Sequence, residues 1–480
     1  MLHHLIAAHA ADAAFYRARF TDGTLSATAD LRSLGRFEHL LQAHLEGLRV
    51  ADAESTPPGA GSAAAQARLA RWQTADEAFV CAVLAFEQVP PSPPALPPRL
   101  VALAQWACAQ HQQAVAALPS QAVRLPPIGH GLVAAGEWLP WPRVQPAVCD
   151  WAASSEPVLR CVALSLCALH RQPAGDALQA WLTDRHPMVR ARALLAAGEL
   201  GRADLSGTLI DALQDTDRHC RRQAAAALAL LGRSEGAAIM GAWVNEAQAD
   251  AESATDTQAA QQLRHEVRHV LALLAQVLDP PLREQLVAAT LAVPEHRRSA
   301  LELLRFSGDG RAIELLLRLC EAELQPAALQ AGLQAPGRNL ARLAGDVFAH
   351  ITGAALSQEG RWMPAPELDD PAADPADDPQ VPAVRKQDID EGLLWPDVAA
   401  LRRWWQEHAP RFQAGRCLAG CPLAPSGAAQ MLRDPQCTQL QRHHAALFLR
   451  VQGATAQLVD VRAPLWRQRD QMAGLGAVLP

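Results

Sequence analysis

The residues best placed by type and spacing to do chemistry are His265, Glu266 and His269, which spell H-E-x-x-H. On a helix, two histidines one turn apart can share a zinc ion while the glutamate between them serves as general base. The flanking residues argue against that use. At roughly 100° per residue, Leu263, Val267, Val270, Leu271 and Leu274 gather on one side, and His265 and His269 point close to the opposite one. A catalytic zinc needs a third protein ligand and a shielded cleft. The pattern therefore predicts a solvated helix face, with a zinc-dependent hydrolase as the alternative reading.

Other constellations are weaker. Cys417, Cys421, Cys437, His443 and His444 can be assembled into a Cys/His zinc set, but C-x3-C is looser than structural zinc sites favour, so ordinary thiols are expected. Residues 129–136, GHGLVAAG, contain G-x-G-x-x-A, yet Pro126 and Pro127 stand where a dinucleotide fingerprint needs a strand. Lys386 is the only lysine, and no phosphate-loop, kinase or Schiff-base motif surrounds it. The G-x-S-x-G turn of serine hydrolases does not occur. A non-enzyme without cofactor or metal is the expectation. Trp404 and Trp405, adjacent on a predicted helix, are the candidate partner-binding residues, because Trp is enriched at interface hot spots.

The elements that must position these residues are helical. Half of the 480 residues are hydrophobic, mostly Ala and Leu, while only 5% are aromatic, a balance that favours helices over strands. Leu31, Leu34, Phe37, Leu41, His44, Leu45 and Leu48 follow the three-four spacing of one buried stripe. STPPGAGSAAA (55–65) and VPPSPPALPP (89–98) interrupt the helices, with a third helix expected around Ala64–Glu87 and a fourth around Leu100–Ala117.

The charge is −7, from 43 basic and 50 acidic residues. The window 364–391 alone holds nine acids against Arg385 and Lys386, which leaves 41 of each sign elsewhere. A near-neutral body matches phosphate-backbone binding poorly, so no nucleic acid partner is expected. Ten irregularly spaced cysteines and a start, MLHHLIAAHAADAAF, without a basic leader segment predict a cytoplasmic protein with reduced thiols. No stretch of about 18 apolar residues predicts a membrane span.

Sliding the sequence against itself superposes three segments, from Pro157, Pro187 and Arg218. Arg160, Arg190 and Arg221 coincide, as do Ala163, Ala193 and Ala224, and Gly201 and Gly232 close the second and third copies where a left-handed cap is usual. A second amphipathic helix, ending in Asp184 or Asp215, precedes each of the last two. Two-helix units of about thirty residues that cannot bury their apolar faces alone stack into an α-solenoid. Weaker copies continue through 263–278, 296–309 and 340–353. The organisation expected is all-α: a helical N-terminal region (1–145), a solenoid (146–355), an acidic, Pro-rich tether (356–392) and a C-terminal module (393–480).

The three repeats resemble short HEAT repeats of the kind found in phycobilisome lyases. The resemblance implies a ladder between the acid of each turn and the arginine of the following helix, using Arg160, Asp184, Arg190, Asp215 and Arg221. Beyond the repeats, FEHLLQAHLEGLRVA (37–51), ADEAFVCAVLAFE (75–87), RLAGDVFAHITG (342–353), LLWPDVAALRRWWQEHAPRF (393–412) and LVDVRAPLWRQR (458–469) resemble a family of uncharacterised bacterial HEAT-like proteins often encoded beside type VI secretion components. Gly415-Arg416-Cys417 departs from that pattern, in which an aromatic follows the arginine. The resemblance implies a protein partner, a secreted effector or a secretion component, and carries over no catalytic residue.

Overall fold

The computed structural model describes residues 3–90, 95–172, 175–253, 257–329, 339–357, 360–366, 389–412 and 415–475. The described chain is all-α, apart from two short antiparallel ladders, Trp362–Met363 with Trp395–Pro396 and Cys417–Leu418 with Cys421–Pro422. Contacts divide it into two compact units: Met1–Met240 with Leu449–Pro480, and Gly241–Phe448.

In the first unit, the Leu31–Glu54 helix starts where Asp30 accepts the Ser33 amide at 2.8 Å, and Leu34, Leu41, Leu45 and Leu48 of its stripe are fully buried. The expected third helix is two helices, Ala60–Trp72 and Ala75–Phe86. Gln73 turns left-handed between them and Thr74 caps the second, accepting from the Glu77 amide. That second helix is the centre of the core. Every residue from Glu77 to Phe86 is buried, and Trp138 packs edge-on against Phe79 while Trp151 does so against Phe86.

The three repeat helices begin at the residues the superposition predicts: Pro157–Leu169, Pro187–Glu199 and Arg218–Leu230. Proline is tolerated at the first helical position because its missing amide has no partner there. Ala163, Ala193 and Ala224 are fully buried, and small residues let the helices close up: a Cβ on Gly198 would lie 2.6 Å from the Ala227 Cα. The two later helices end at Gly201 (φ 71°) and Gly232 (φ 77°), as predicted.

The second unit contains Thr257–Val277, Arg297–Ser307, Ile313–Glu323 and Ala341–Thr352, joined by Val398–His408 and Pro425–Arg433. Pro396 does not start the Val398–His408 helix. It lies in a ladder, and Asp397 caps the helix by accepting from the Ala400 amide at 2.9 Å.

The residues from 393 onward do not form the separate module expected of them. The last carbonyls of a helix lack intrahelical donors, and this segment supplies them. In the second unit, Arg416 donates to Ser307 and Phe306, the Cys417 amide to Gly308, and the Ala419 and Gly420 amides to His350 and Ile351. Gly308 (φ 66°) is left no room for a side chain, since a Cβ would meet the Cys417 carbonyl at 2.5 Å. In the first unit, the Leu458 amide donates to Glu199 and Arg467 to Leu139 and Leu169, while the Ala456 carbonyl lies against Gly201.

The expected tether also takes a different form at its ends. Residues 367–388, its acidic centre, lie outside the described residues. Its flanks meet as cross-strand partners, Met363 opposite Trp395. The buried Asp390 carboxylate receives both Arg298 nitrogens at 2.9 and 2.8 Å, because a buried charge is tolerated only when paired. Both flanks thus belong to one unit, and the stretch returns to the unit it leaves.

Candidate functional site

The repeat arginines and acids meet in a fixed pattern. Asp184 Oδ1 accepts the His186 amide at 2.7 Å, tightening the turn ahead of its helix, and also accepts Arg160 Nη2 at 3.2 Å from the preceding repeat. Arg190 Nη1 donates to the Asp184 carbonyl at 2.8 Å, while Nε and Nη2 grip both Asp215 oxygens at 2.7 and 2.9 Å. Arg221 repeats the first half of this, donating to the Asp215 carbonyl at 2.7 Å. Each arginine therefore ties its own turn through a carbonyl; Arg160 and Arg190 also reach the next turn through its carboxylate. The hydrogen bonds from Arg190 hold the Asp215 carboxyl below its ordinary range.

The histidines of H-E-x-x-H do not form the solvated face predicted. Val267, Val270, Leu271 and Leu274 are buried as the periodicity requires, but His265, Glu266 and His269 are all half-buried. His269 Nδ1 lies 3.3 Å from His443 Nε2, and Arg268 pairs with Glu302 at 3.1 Å. The opposite face of this helix is covered because the Gln439–Val451 helix brings its own histidines against it.

His443 and His444 accordingly serve packing rather than joining Cys417, Cys421 and Cys437. His444 Nδ1 lies 3.1 Å from His350 Nε2, with the two rings stacked within 5° of parallel and Phe306 edge-on beside them. Burial pushes both imidazoles well below the ordinary histidine value, and neighbouring guanidiniums add to this, Arg416 and Arg305 for His444 and Arg305 for His350. Both are neutral at physiological pH. Beside them, the fully buried Arg305 bridges Glu302 at 2.9 Å and Asp346 at 2.6 Å. Burial opposes the Glu302 charge, but Arg268 and Arg305 outweigh it and hold the carboxyl below its usual value. Among the described residues, no group of three or more His, Cys, Asp or Glu side chains is arranged to hold a metal ion.

Trp404 and Trp405 are not a projecting pair. Trp405 is buried against Phe412, and Trp404 is half-buried, stacked on His408 at 4.2 Å and edge-on to Phe348. Their helix turns Val398, Leu401 and Trp405 inward, which leaves neither indole as a free anchor. GHGLVAAG lies within the Pro127–Trp138 helix, where Gly131 packs on Ala78.

Sequence reasoning missed the His350–His444 pair and the Arg305 network. It also missed a cavity of about 230 Å³ in the first unit, lined by Pro140, Trp141, Leu169, His170, Arg171, Trp466, Arg467 and Gln471. The Trp466-Arg467 dipeptide in LVDVRAPLWRQR was the available signal.

A family model for HEAT repeats matches residues 145–229 and 175–261, which cover the superposed repeats and the ladder. No curated protein and no solved structure matches the chain. No helix among the described residues is long and apolar enough to cross a membrane. HEAT repeats generally mediate protein–protein interaction, and this chain is an all-α, HEAT-like solenoid.

Proposed function

We propose that this chain is a non-catalytic, cytoplasmic scaffold that binds another protein, serving type VI secretion as adaptor, chaperone or immunity factor for a secreted effector or secretion component. The observation that carries the reading is the stack of repeats tied by Arg160, Asp184, Arg190 and Asp215. Such stacks hold successive helices in register and present an extended surface, which suits macromolecular partners better than small substrates. The near-neutral charge outside 364–391 supports a protein over a nucleic acid. The secretion role rests on the resemblance of the N- and C-terminal segments.

The test is capture of the tagged chain from its native host, with mass spectrometry of what survives a moderate salt wash. One dominant partner encoded nearby supports the reading. Recovery of nothing above the untagged control removes it.

A further inference from the structure

The cavity of about 230 Å³ is bounded by two half-buried indoles, Trp141 and Trp466, with Pro140 and Leu169 completing an apolar wall. Its polar lining is cationic. Arg171 donates to the Ala168 and Leu458 carbonyls, and Arg467 to the Leu139 and Leu169 carbonyls. Carbonyls satisfy donors without neutralising charge. Among the described residues neither guanidinium forms an ion pair, but Glu137, Asp460 and Asp470 offset the charge of Arg467 from a distance, so Arg171 is the cation left for a ligand. Arg450, tied to the Thr455 carbonyl, adds a third cation near Arg171. Gln471 also faces the cavity. Its Oε1 accepts the Asp460 amide at 2.7 Å, while its buried Nε2 has no acceptor among the described residues.

An apolar wall and a guanidinium, Arg171, that is tied to carbonyls alone meet in a space with room for one large side chain. A single residue that offers an apolar side chain and an anion on the same Cα is a carboxy-terminal Phe or Leu. We propose that this cavity captures the carboxy terminus of a partner protein, its last side chain between Trp141 and Trp466 and its carboxylate facing Arg171. This rests on the protein-binding reading above and names the part of the partner recognised.

The test uses the full chain labelled with 5-fluorotryptophan, the Trp141 and Trp466 fluorine signals being assigned with W141F and W466F. Titration with the peptide acetyl-Gly-Gly-Gly-Phe, bearing a free carboxylate, shifts both signals and saturates. The same peptide as its carboxamide binds at least about tenfold more weakly, as does the acid with R171Q. The amide comparison uses unaltered protein, so it decides the matter even if R171Q misfolds. No shift by about 5 mM, or equal shifts with acid and amide, overturns the proposal. A partner captured from the host and retained by W466A, with a flat titration, sinks this site and leaves the scaffold reading standing. Peptide binding with no captured partner does the reverse.

Discussion

Arg190 holds both carboxylate oxygens of Asp215, the acid of the repeat that follows its own, while its third nitrogen ties the turn behind it. One guanidinium thus fixes the spacing between two repeats. Arg190→Ala leaves the half-buried Asp215 carboxylate with only its uncharged donors, a loss of about 1–3 kcal/mol. Chemical denaturation should show this as a lower midpoint. If the Asp215→Asn protein loses as much as R190A and the double variant loses their sum, the two residues are not coupled as the geometry requires.

Acid should loosen the second unit before the pH reaches the carboxylate range. His350 and His444 have folded values well below 6.5, so between that value and 6.5 the unfolded chain binds protons that the folded chain does not. Their contribution to stability is complete above pH 6.5 and falls as pH drops beneath it, by up to about 1.4 kcal/mol per pH unit for each histidine. The groups facing the pair are Arg305, Arg268, Arg416, His443 and the Phe306 ring, so a proton enters a site already crowded with positive charge. Denaturation midpoints from pH 7 to pH 5 should therefore decline, and less steeply for His350→Gln, which cannot take up the proton.

Thiol chemistry separates two cysteines from the rest. Cys149 and Cys421 are exposed, and the other eight are buried. Burial pushes the thiols of Cys81, Cys220 and Cys320 up to about 12 and those of Cys161, Cys167 and Cys437 up to about 11. A disulfide-exchange reagent at pH 8 should titrate two thiols quickly in native protein and all ten only after unfolding. Rapid reaction of four or more would contradict the packing described.

The two tryptophans should differ in what they add to stability. Trp405→Ala removes a buried indole and should cost about 3–5 kcal/mol, whereas Trp404→Ala, at a half-buried site, should cost distinctly less. Thermal melts of both variants decide this; equal losses would mean that the two indoles are equally buried.

Features that repeat along the chain were readable from it. The starts at Pro157, Pro187 and Arg218 and the glycine ends at 201 and 232 follow local rules of helix initiation and termination. The Thr74 cap obeys the same kind of rule, with Glu77 three residues on as its capping-box partner, although the apolar spacing before and after it is compatible with one longer helix. Longer-range pairings left no local trace. His350 and His444 lie 94 positions apart, and nothing in either neighbourhood announces the other. The expected solvated face around His265 and His269 was wrong at His269 for a related reason: helical periodicity marks the face packed first, and a second helix covered the other. In the cavity, Trp141 and Trp466 come from the two separate stretches of sequence that make up the first unit and meet only when the second stretch is in place.

That late meeting has a consequence for how the protein is made. Gly201 ends its helix against the Ala456 carbonyl, and the Glu199 carbonyl waits for the Leu458 amide, about 250 residues further along. At ribosomal speeds of roughly 5–20 residues per second, the early repeats spend on the order of 10–50 s with those helix ends open to water and to other chains. The first unit is therefore finished from its far end, and a nascent chain holding only the repeats is, for that interval, an unsealed stack able to accept a strand of the wrong molecule.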